Sequence, residues 1–321
     1  MVRYICVIHC LLILSLPLSA EMITPVPQPP KIDPAILQLG QQLFHDTRLS
    51  RDGDISCASC HDLSRNGADQ QPLSRGTDGA LGKLRSPSVY NAALNAFQFW
   101  DGRARTLEEQ VDGPLHDPVE MASNWPDVMA RLQQDQQLVA SFSAIYPAGL
   151  TPETLRSALA DFQRSLLTTN APFDRWLQGD ADAITAQQQH GFRLFRDYGC
   201  ISCHQGANVG GNLFARMGSL ENYFALKGDA IQTTDLGRYN VTGRESHRHV
   251  FKVPGLRTAA LNSHFFHDGS VDNLEEAIRV MARFQLGRQL TDDEVVAMAD
   301  FIQSLTGQHP FMDEGAQHEK R

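Results

Sequence analysis

The 321-residue sequence predicts an all-α fold made of two helical domains in tandem. Apolar residues such as Ile36, Leu39, Leu43 and Phe44 recur at the three- and four-residue spacing of an amphipathic helix. Segments of the first half return in the second half at a constant offset of 167 residues. Alternating strand-like patterns are weak throughout. A repeated helical unit explains all three observations.

The first 20 residues have the pattern of a cleaved secretory signal peptide. Arg3 precedes an apolar stretch at residues 5–18, and Leu18-Ser19-Ala20 supplies a small-residue cleavage site. The alternative is a membrane anchor, but the stretch is short and Pro17 breaks it. We therefore expect a periplasmic protein without a stable membrane span.

The mature chain is predicted to divide into an extended lead-in, two domains and a tail. The proline-rich residues 21–32 lead into an N-terminal domain at residues 33–168. A linker at residues 169–182 precedes a C-terminal domain at residues 183–307 and a tail at residues 308–321. Each domain closes with a helix, at residues 155–167 and 295–305, that follows a Thr N-cap and an acidic first turn.

Two Cys-x-x-Cys-His motifs stand at the centre of these domains. They are Cys57-Ala58-Ser59-Cys60-His61 and Cys200-Ile201-Ser202-Cys203-His204. This spacing lets two thiols add to the vinyl groups of one haem while the adjacent imidazole reaches the iron. The alternative is a redox-active cysteine pair or half a zinc site. Two complete copies favour a c-type cytochrome with two covalently bound haem c groups.

Cysteine usage agrees with that interpretation. Cys6 and Cys10 leave with the signal peptide, and the four remaining thiols all belong to the haem motifs. No disulfide is therefore expected, although the compartment is oxidising. The formal net charge of −9 argues against a nucleic-acid partner.

The repeat predicts different environments for the two irons. It aligns Met281 with Pro114, so a thioether stands in one half where the other has no side-chain donor. A Met opposite a His raises the reduction potential and closes the iron to small ligands. His204 and Met281 therefore indicate an electron-entry haem, and His61 alone indicates an open one. The alternative for Met281 is an ordinary core residue.

Two polar residues belong to the first half alone. Gln110 aligns with Ala277, and Glu120 aligns with Gly287. A carboxylate beside an open haem can take a proton from bound peroxide and return it to the leaving oxygen. Gln110 can hydrogen-bond the same oxygens or a water molecule. The alternative for Glu120 is a surface charge.

With these residues the mature chain resembles the bacterial di-haem cytochrome c peroxidases over nearly its whole length. The segments that carry the resemblance are the first haem motif, Gln98-Phe99-Trp100-Asp101-Gly102-Arg103-Ala104, Leu107-Glu108-Glu109-Gln110, Pro118-Val119-Glu120-Met121, Phe251-Lys252-Val253-Pro254, Phe266-His267-Asp268-Gly269 and Met281-Ala282-Arg283-Phe284-Gln285-Leu286-Gly287.

The resemblance implies a reaction and its partners. The N-terminal haem would reduce hydrogen peroxide, with Glu120 and Gln110 acting on the peroxide. The Met-ligated haem would receive electrons from a small periplasmic c-type cytochrome or cupredoxin, and Trp100 would bridge the two haems. The resemblance also allows a homodimer.

The resemblance further implies a calcium ion at the junction of the domains. The matching positions are Asn91 through its side chain and Asn262 and His264 through backbone oxygens. The last two differ in residue type from those expected there, which carbonyl ligands tolerate.

One departure from the family concerns the loop at residues 62–86, which is rich in Gly, Ser, Asp and Arg and is expected to be solvated. Many members carry a His there that blocks the peroxidatic iron until the other haem is reduced. This chain has no His between His61 and His116, and offers only Lys83 and Tyr90. We therefore expect turnover without reductive activation, unless His116 or Lys83 reaches the iron.

Two other functions compete with the peroxidase. A di-haem protein of the methylamine-utilisation type shares the open haem but oxidises residues of a partner protein. That class places Tyr on the second haem, so Met281 argues against it. A non-enzymatic electron carrier or redox sensor has no use for Glu120 and Gln110 over an open iron.

Overall fold

The computed structural model describes residues 22–312 of the chain. The predicted signal peptide and the last nine residues of the predicted tail lie outside this range. Helices dominate the described residues, and two short strands, β1 (Phe214–Arg216) and β2 (Val250–Lys252), pair antiparallel. Within the same range, no helix is both long and apolar enough to cross a bilayer.

The α-helices within residues 22–312 begin at Pro or cap residues, as the sequence patterns indicate. In chain order they are α1 (Pro34–Phe44), α2 (Leu107–His116), α3 (Trp125–Leu132), α4 (Gln136–Ile145), α5 (Pro152–Ser165), α6 (Pro172–Leu177), α7 (Ala186–Asp197), α8 (Tyr239–Thr242), α9 (Leu274–Val280) and α10 (Asp292–Ser304). Thr151 and Thr291 cap α5 and α10 with reciprocal hydrogen bonds. Both helices therefore start three residues earlier than predicted.

The sequence repeat is a structural repeat of paired helices. Helix α1 packs on α5 in the first half, and α7 packs on α10 in the second. A glycine allows each close approach, because a Cβ at Gly40 would overlap the Ala158 carbonyl and one at Gly191 would overlap the Ala297 carbonyl. Each helix pair forms one side of a haem-motif region.

Two hydrophobic cores surround these helix pairs. The first core contains α1 and α5 residues such as Leu43 and Leu159, and the second contains α7 and α10 residues such as Phe195 and Phe301. The segment predicted as a linker contributes to the second core, since Phe173 of α6 is fully buried there. Asp174 on the same helix forms a buried ion pair with Arg257 at 2.5 Å.

The two ends of the described chain pack against opposite cores. Ile23, in the extended N-terminal segment, is buried in the second core. Phe311 and Met312 pack against the first core. Backbone hydrogen bonds between Thr169 and Gln308 hold the C-terminal segment in place.

The loop at residues 62–86 is not the solvated segment that its composition predicts. Asn66 and Ala68 are fully buried, Thr77 is 1% exposed and Arg85 is 4% exposed. The prediction is wrong for these residues because the loop lies between the two halves of the chain and bonds to both. Residues of this loop line the cavities next to His61, so the loop is part of the candidate active site.

Candidate active site

A cavity of about 370 Å³ connects the two haem motifs. His61, His204 and Trp100 all line this cavity. A second cavity of about 90 Å³ adjoins His61 and is lined by Cys57 and Cys60. The two predicted haem positions are therefore neighbouring spaces in one interior.

The two motif histidines are held in the same way. His61 Nδ1 lies 3.1 Å from the Gly67 carbonyl oxygen, and His204 Nδ1 lies 3.2 Å from that of Val209. An imidazole that donates from Nδ1 presents the lone pair of Nε2 to a metal. Burial lowers the pKa of both rings, that of His204 to about 4, so each is neutral at pH 7.

These surroundings fit a haem at each motif. The short 3-10 turns Cys57–Ser59 and Cys200–Ser202 place the thiols beside each histidine, and all four cysteines line the cavities. The cavity wall also holds two buried cations, Arg85 and Lys252, and neither forms an ion pair with any residue in 22–312. Burial lowers the pKa of Lys252 to about 8. The propionate carboxylates of a haem would compensate such charges.

Pro114 and Met281 occupy equivalent places in the cavity wall. Helix α2 begins at Leu107 and α9 at Leu274, at the repeat offset, so the two helices enter the site in register. Pro114 lies inside α2. Met281 begins a π-helical turn, Met281–Gln285, that continues α9, and such turns frequently occur at functional sites.

Glu120 and Gln110 both line the two cavities next to His61. Glu120 is an exposed residue overall, yet neighbouring protein groups bury part of its carboxyl group where the side chain lines these cavities. This burial raises the pKa of Glu120; the Asp117 carboxylate raises it further and Arg103 opposes the rise. A carboxylate with a raised pKa is a stronger proton acceptor than an ordinary glutamate.

The backbone of Glu120 is fixed by the loop at residues 62–86. The Thr77 amide and hydroxyl both donate to the Glu120 carbonyl oxygen, at 2.8 and 3.0 Å. Gly76 has no room for a side chain, because a Cβ there would overlap the carbonyl oxygens of Val119 and Glu120. The loop thus fixes the backbone position of Glu120, whose carboxylate the sequence predicts to be catalytic.

Trp100 connects the two halves within the cavity wall. Its indole N–H donates to the Arg85 carbonyl at 2.9 Å, and its own carbonyl accepts from the Lys252 amide at 2.8 Å. The Trp100 ring packs beside the aromatic cluster that includes Phe251. Its repeat equivalent, His267, also lines the cavity and bonds to buried Asp235 at 2.6 Å.

Two of the residues predicted to hold calcium have side chains that are hydrogen-bonded to other protein groups. The Asn91 side chain is 1% exposed and is engaged by Thr168, whose amide donates to Asn91 Oδ1 at 2.9 Å and whose hydroxyl accepts from Nδ2 at 2.8 Å. Asn262 lines the cavity, whereas Asn91 and His264 do not. The Asn262 side-chain oxygen accepts from the Arg85 guanidinium at 2.9 Å. A dication needs six to eight oxygen ligands and is repelled by a guanidinium.

Sequence reasoning missed Arg85 and Lys252. Lys252 stands in Phe251-Lys252-Val253-Pro254, one of the segments that carry the family resemblance, and this signal was available. Arg85 had no such signal, because an arginine in a polar loop is usually solvated.

Comparison with known proteins agrees with this site. The family model described as di-haem cytochrome c peroxidase matches residues 34–182. The cytochrome c peroxidase Ccp of Escherichia coli (strain K12) is 42% identical over 92% of this chain, and the chain spans 63% of that protein's length. The cytochrome c551 peroxidase of Nitrosomonas europaea is 39% identical over 85% of this chain and 80% of its own length.

The fold is also that of solved relatives. The crystal structure of a MauG-like protein associated with microbial copper homeostasis superposes with a TM-score of 0.79 at 26% identity, covering 93% of this chain and 98% of that one. The MauG-like protein is therefore similar too, but at lower identity than the two peroxidases named above. Since the peroxidase relatives match most of both chains, this protein belongs to the di-haem cytochrome c peroxidase family.

Proposed function

We propose that this chain is a periplasmic peroxidase that reduces hydrogen peroxide to water with electrons from a small c-type cytochrome or cupredoxin. The observation that carries the proposal is the grouping of Glu120 and Gln110 beside His61, in a wall where Pro114 offers iron no ligand. Two electrons and two protons convert one hydrogen peroxide into two water molecules. Covalent haem c at Cys57/Cys60 and at Cys200/Cys203 would supply the iron that binds peroxide and passes electrons.

Glu120 and Gln110 handle the protons in this proposal. The Glu120 carboxylate takes a proton from the inner peroxide oxygen and returns it to the outer oxygen, which leaves as water. Gln110 donates a hydrogen bond that orients the peroxide. The raised pKa of Glu120 suits both steps, because the group must accept a proton and then release it.

Trp100 is the proposed bridge between the two haem positions, since it lines the same cavity as His61 and His204. Electrons would enter at the second site, where Met281 faces the same cavity as His204. Met281 is also the feature that favours a peroxidase over the methylamine-utilisation type, in which a tyrosine is expected at that place.

Access to the first site is proposed to be permanent. The loop at residues 62–86 contributes small and apolar residues to the wall near His61, namely Ser74, Gly76, Gly82, Leu84 and Ser86. Lys83 and His116, the two alternative ligands considered for the first iron, are exposed and line neither cavity. Peroxide would then react with the oxidised protein directly.

Replacing Glu120 with Gln tests the proposal. The change keeps the shape and removes the base, so peroxide turnover with a reduced cytochrome c should fall by about 10² to 10⁴-fold. The parent should also lose activity as the pH falls through the raised pKa of Glu120, above the value of about 4.3 for an ordinary glutamate. The Glu120→Gln variant should lack this acid limb.

Glu153→Gln is the matched control, because Glu153 is an exposed carboxylate on α5 away from both cavities. It should retain parental turnover and the same pH profile. Turnover of Glu120→Gln within a few-fold of the parent, with haem content intact, would remove Glu120 from the mechanism.

A further inference from the structure

The junction between the two halves is occupied by a buried arginine. The Arg85 side chain is 4% exposed and lines the cavity between His61 and His204. Its backbone amide donates to the His267 carbonyl at 2.8 Å, and its backbone carbonyl accepts from Trp100. Arg85 thus links the loop after the first haem motif, to which it belongs, with Trp100 and with the second half of the chain.

The guanidinium is tied to the second half through Asn262. The Asn262 side-chain oxygen accepts from Arg85 at 2.9 Å and from the buried Asn66 amide at 2.6 Å. Asn66 also donates to the Leu261 carbonyl at 3.2 Å. Arg85 and Asn66 both belong to the loop at residues 62–86, so these bonds fasten that loop to the second half.

Arg85 carries an uncompensated charge in this position. It forms no ion pair with any residue of the described range, and its Nε has no hydrogen-bond partner there. Burial lowers its pKa to about 10, with the Asp69 carboxylate opposing the shift, so it remains charged at pH 7. A buried cation is tolerated when an anion pairs with it. The propionates of a haem bound in the cavity would supply such anions.

The cluster of acidic and histidine side chains nearest to a metal site in the described residues also holds a protein cation. The only cluster of three carboxylate, histidine or cysteine ligands in residues 22–312 is Asp235, His267 and Asp268. Lys227 already occupies it, since its ammonium bonds both carboxylates at 2.7 Å. A lysine ammonium between two carboxylates leaves no position for a metal.

We propose that the Arg85 guanidinium is the fixed cation of this junction, holding the two halves in register and facing the haem carboxylates, so that the protein works without calcium. The inference rests on the two haems of the proposed function. A guanidinium bonded to Asn262 supplies permanently the positive charge that a calcium ion would supply reversibly.

The first test is calcium titration of the parent holoprotein. Isothermal titration with CaCl₂ after dialysis against EGTA should give no binding, and haem potentials should be the same with EGTA and with excess calcium. Tight binding of one calcium ion per chain, or potentials that move reversibly with calcium, would overturn the proposal. Neither readout needs peroxide turnover, so failure here is distinct from failure of the proposed function.

The second test removes the charge. In Arg85→Gln the midpoint potential of at least one haem should shift downward, because loss of a nearby cation disfavours the reduced form. Arg85→Lys keeps the charge and should hold the parental potentials more closely. Arg75→Gln, which removes an exposed arginine of the same loop, should leave them unchanged. Equal potentials in Arg85→Gln and the parent would contradict the assignment, as would a larger shift in Arg85→Lys than in Arg85→Gln.

Discussion

Proline and methionine at one position of the repeat would give the two proposed haem positions different chemistry. Pro114 and Met281 both line the cavity, on helices that enter it in register. A pyrrolidine ring has no donor atom, whereas a thioether is a soft iron ligand that raises the reduction potential. In the proposed function, a single side chain in each half would therefore separate an open haem position from a closed one.

Replacing Met281 with Ala should remove the sixth ligand of the second haem. We expect the near-infrared charge-transfer band typical of a Met–haem pair to disappear and the potential of that haem to fall. Absorption spectroscopy and a redox titration measure both effects. Met217 lines the same cavity and provides a matched control, so Met217→Ala should retain the band. Loss of the band in the control alone would transfer the ligand role to Met217.

Each half of the chain contains the same structural element, a pair of packed helices. Phe44 packs on Phe162 with ring centroids 5.4 Å apart, and Phe195 packs on Phe301 at 5.1 Å. Phe44 and Phe195 in turn lie 6.5 and 6.3 Å from the motif histidines His61 and His204. Helix packing and histidine placement are therefore linked through one phenylalanine in each half.

Gly191→Ala tests this packing. In an open helix, alanine would stabilise relative to glycine by about 1 kcal/mol. Here the added Cβ would overlap the Ala297 carbonyl and approach the Phe301 Cβ, so overpacking should destabilise the protein by about 1–3 kcal/mol. Urea unfolding followed by far-UV circular dichroism measures the difference.

The control substitution is Gln187→Ala, at an exposed position of the same helix. Its stability should stay within about 0.5 kcal/mol of the parent. An increase in stability for Gly191→Ala would show that α7 and α10 can separate at no cost, against the close approach of the two helices.

These elements could be predicted because they depend on local sequence patterns. Features that depend on long-range contacts could not be predicted. The haem motifs, the Thr151 and Thr291 caps and the alignment of Pro114 with Met281 are all visible in short stretches or in the repeat. The π-helical turn at Met281 is not, because one extra residue in a turn leaves the apolar pattern nearly unchanged.

The burial of the loop at residues 62–86 could not be predicted either, because it depends on partners that are distant in the sequence. Arg85 and Asn262 are separated by 177 positions in the sequence, and Asn66 and Asn262 by 196. Polar composition favours solvent when such partners are unknown. Asn91 shows the same limit, since nothing in the sequence indicated that Thr168 would engage its side-chain amide.

At the scale of the whole molecule, the loop at residues 62–86 joins the two halves and lines the cavity next to His61. It contributes no imidazole, thioether or amine to the cavity wall. Its contacts with Asn262 and His267 hold it in one place. A loop that is fixed by both halves has little freedom to open and close with the redox state.

We therefore expect the fully oxidised protein to react with peroxide without an activation lag. Electron paramagnetic resonance should show a high-spin signal from one haem and a low-spin signal from the other. Lys83→Ala and His116→Ala should give the same spectra as the parent, because neither side chain lines a cavity. Two low-spin signals, with turnover only after pre-reduction, would mean that a ligand does reach the first iron.

Each end of the described chain packs against the core of the other half, so the two halves cannot be separated without loss of contacts. A gene cut between the halves would leave the first fragment without Phe311 and Met312, and the second fragment without Ile23. Each fragment would expose apolar surface that only the other could cover. A recombination event that exchanged one half of the chain between relatives would also have to exchange the terminus that packs against that half. We therefore expect the two haem positions to be inherited together.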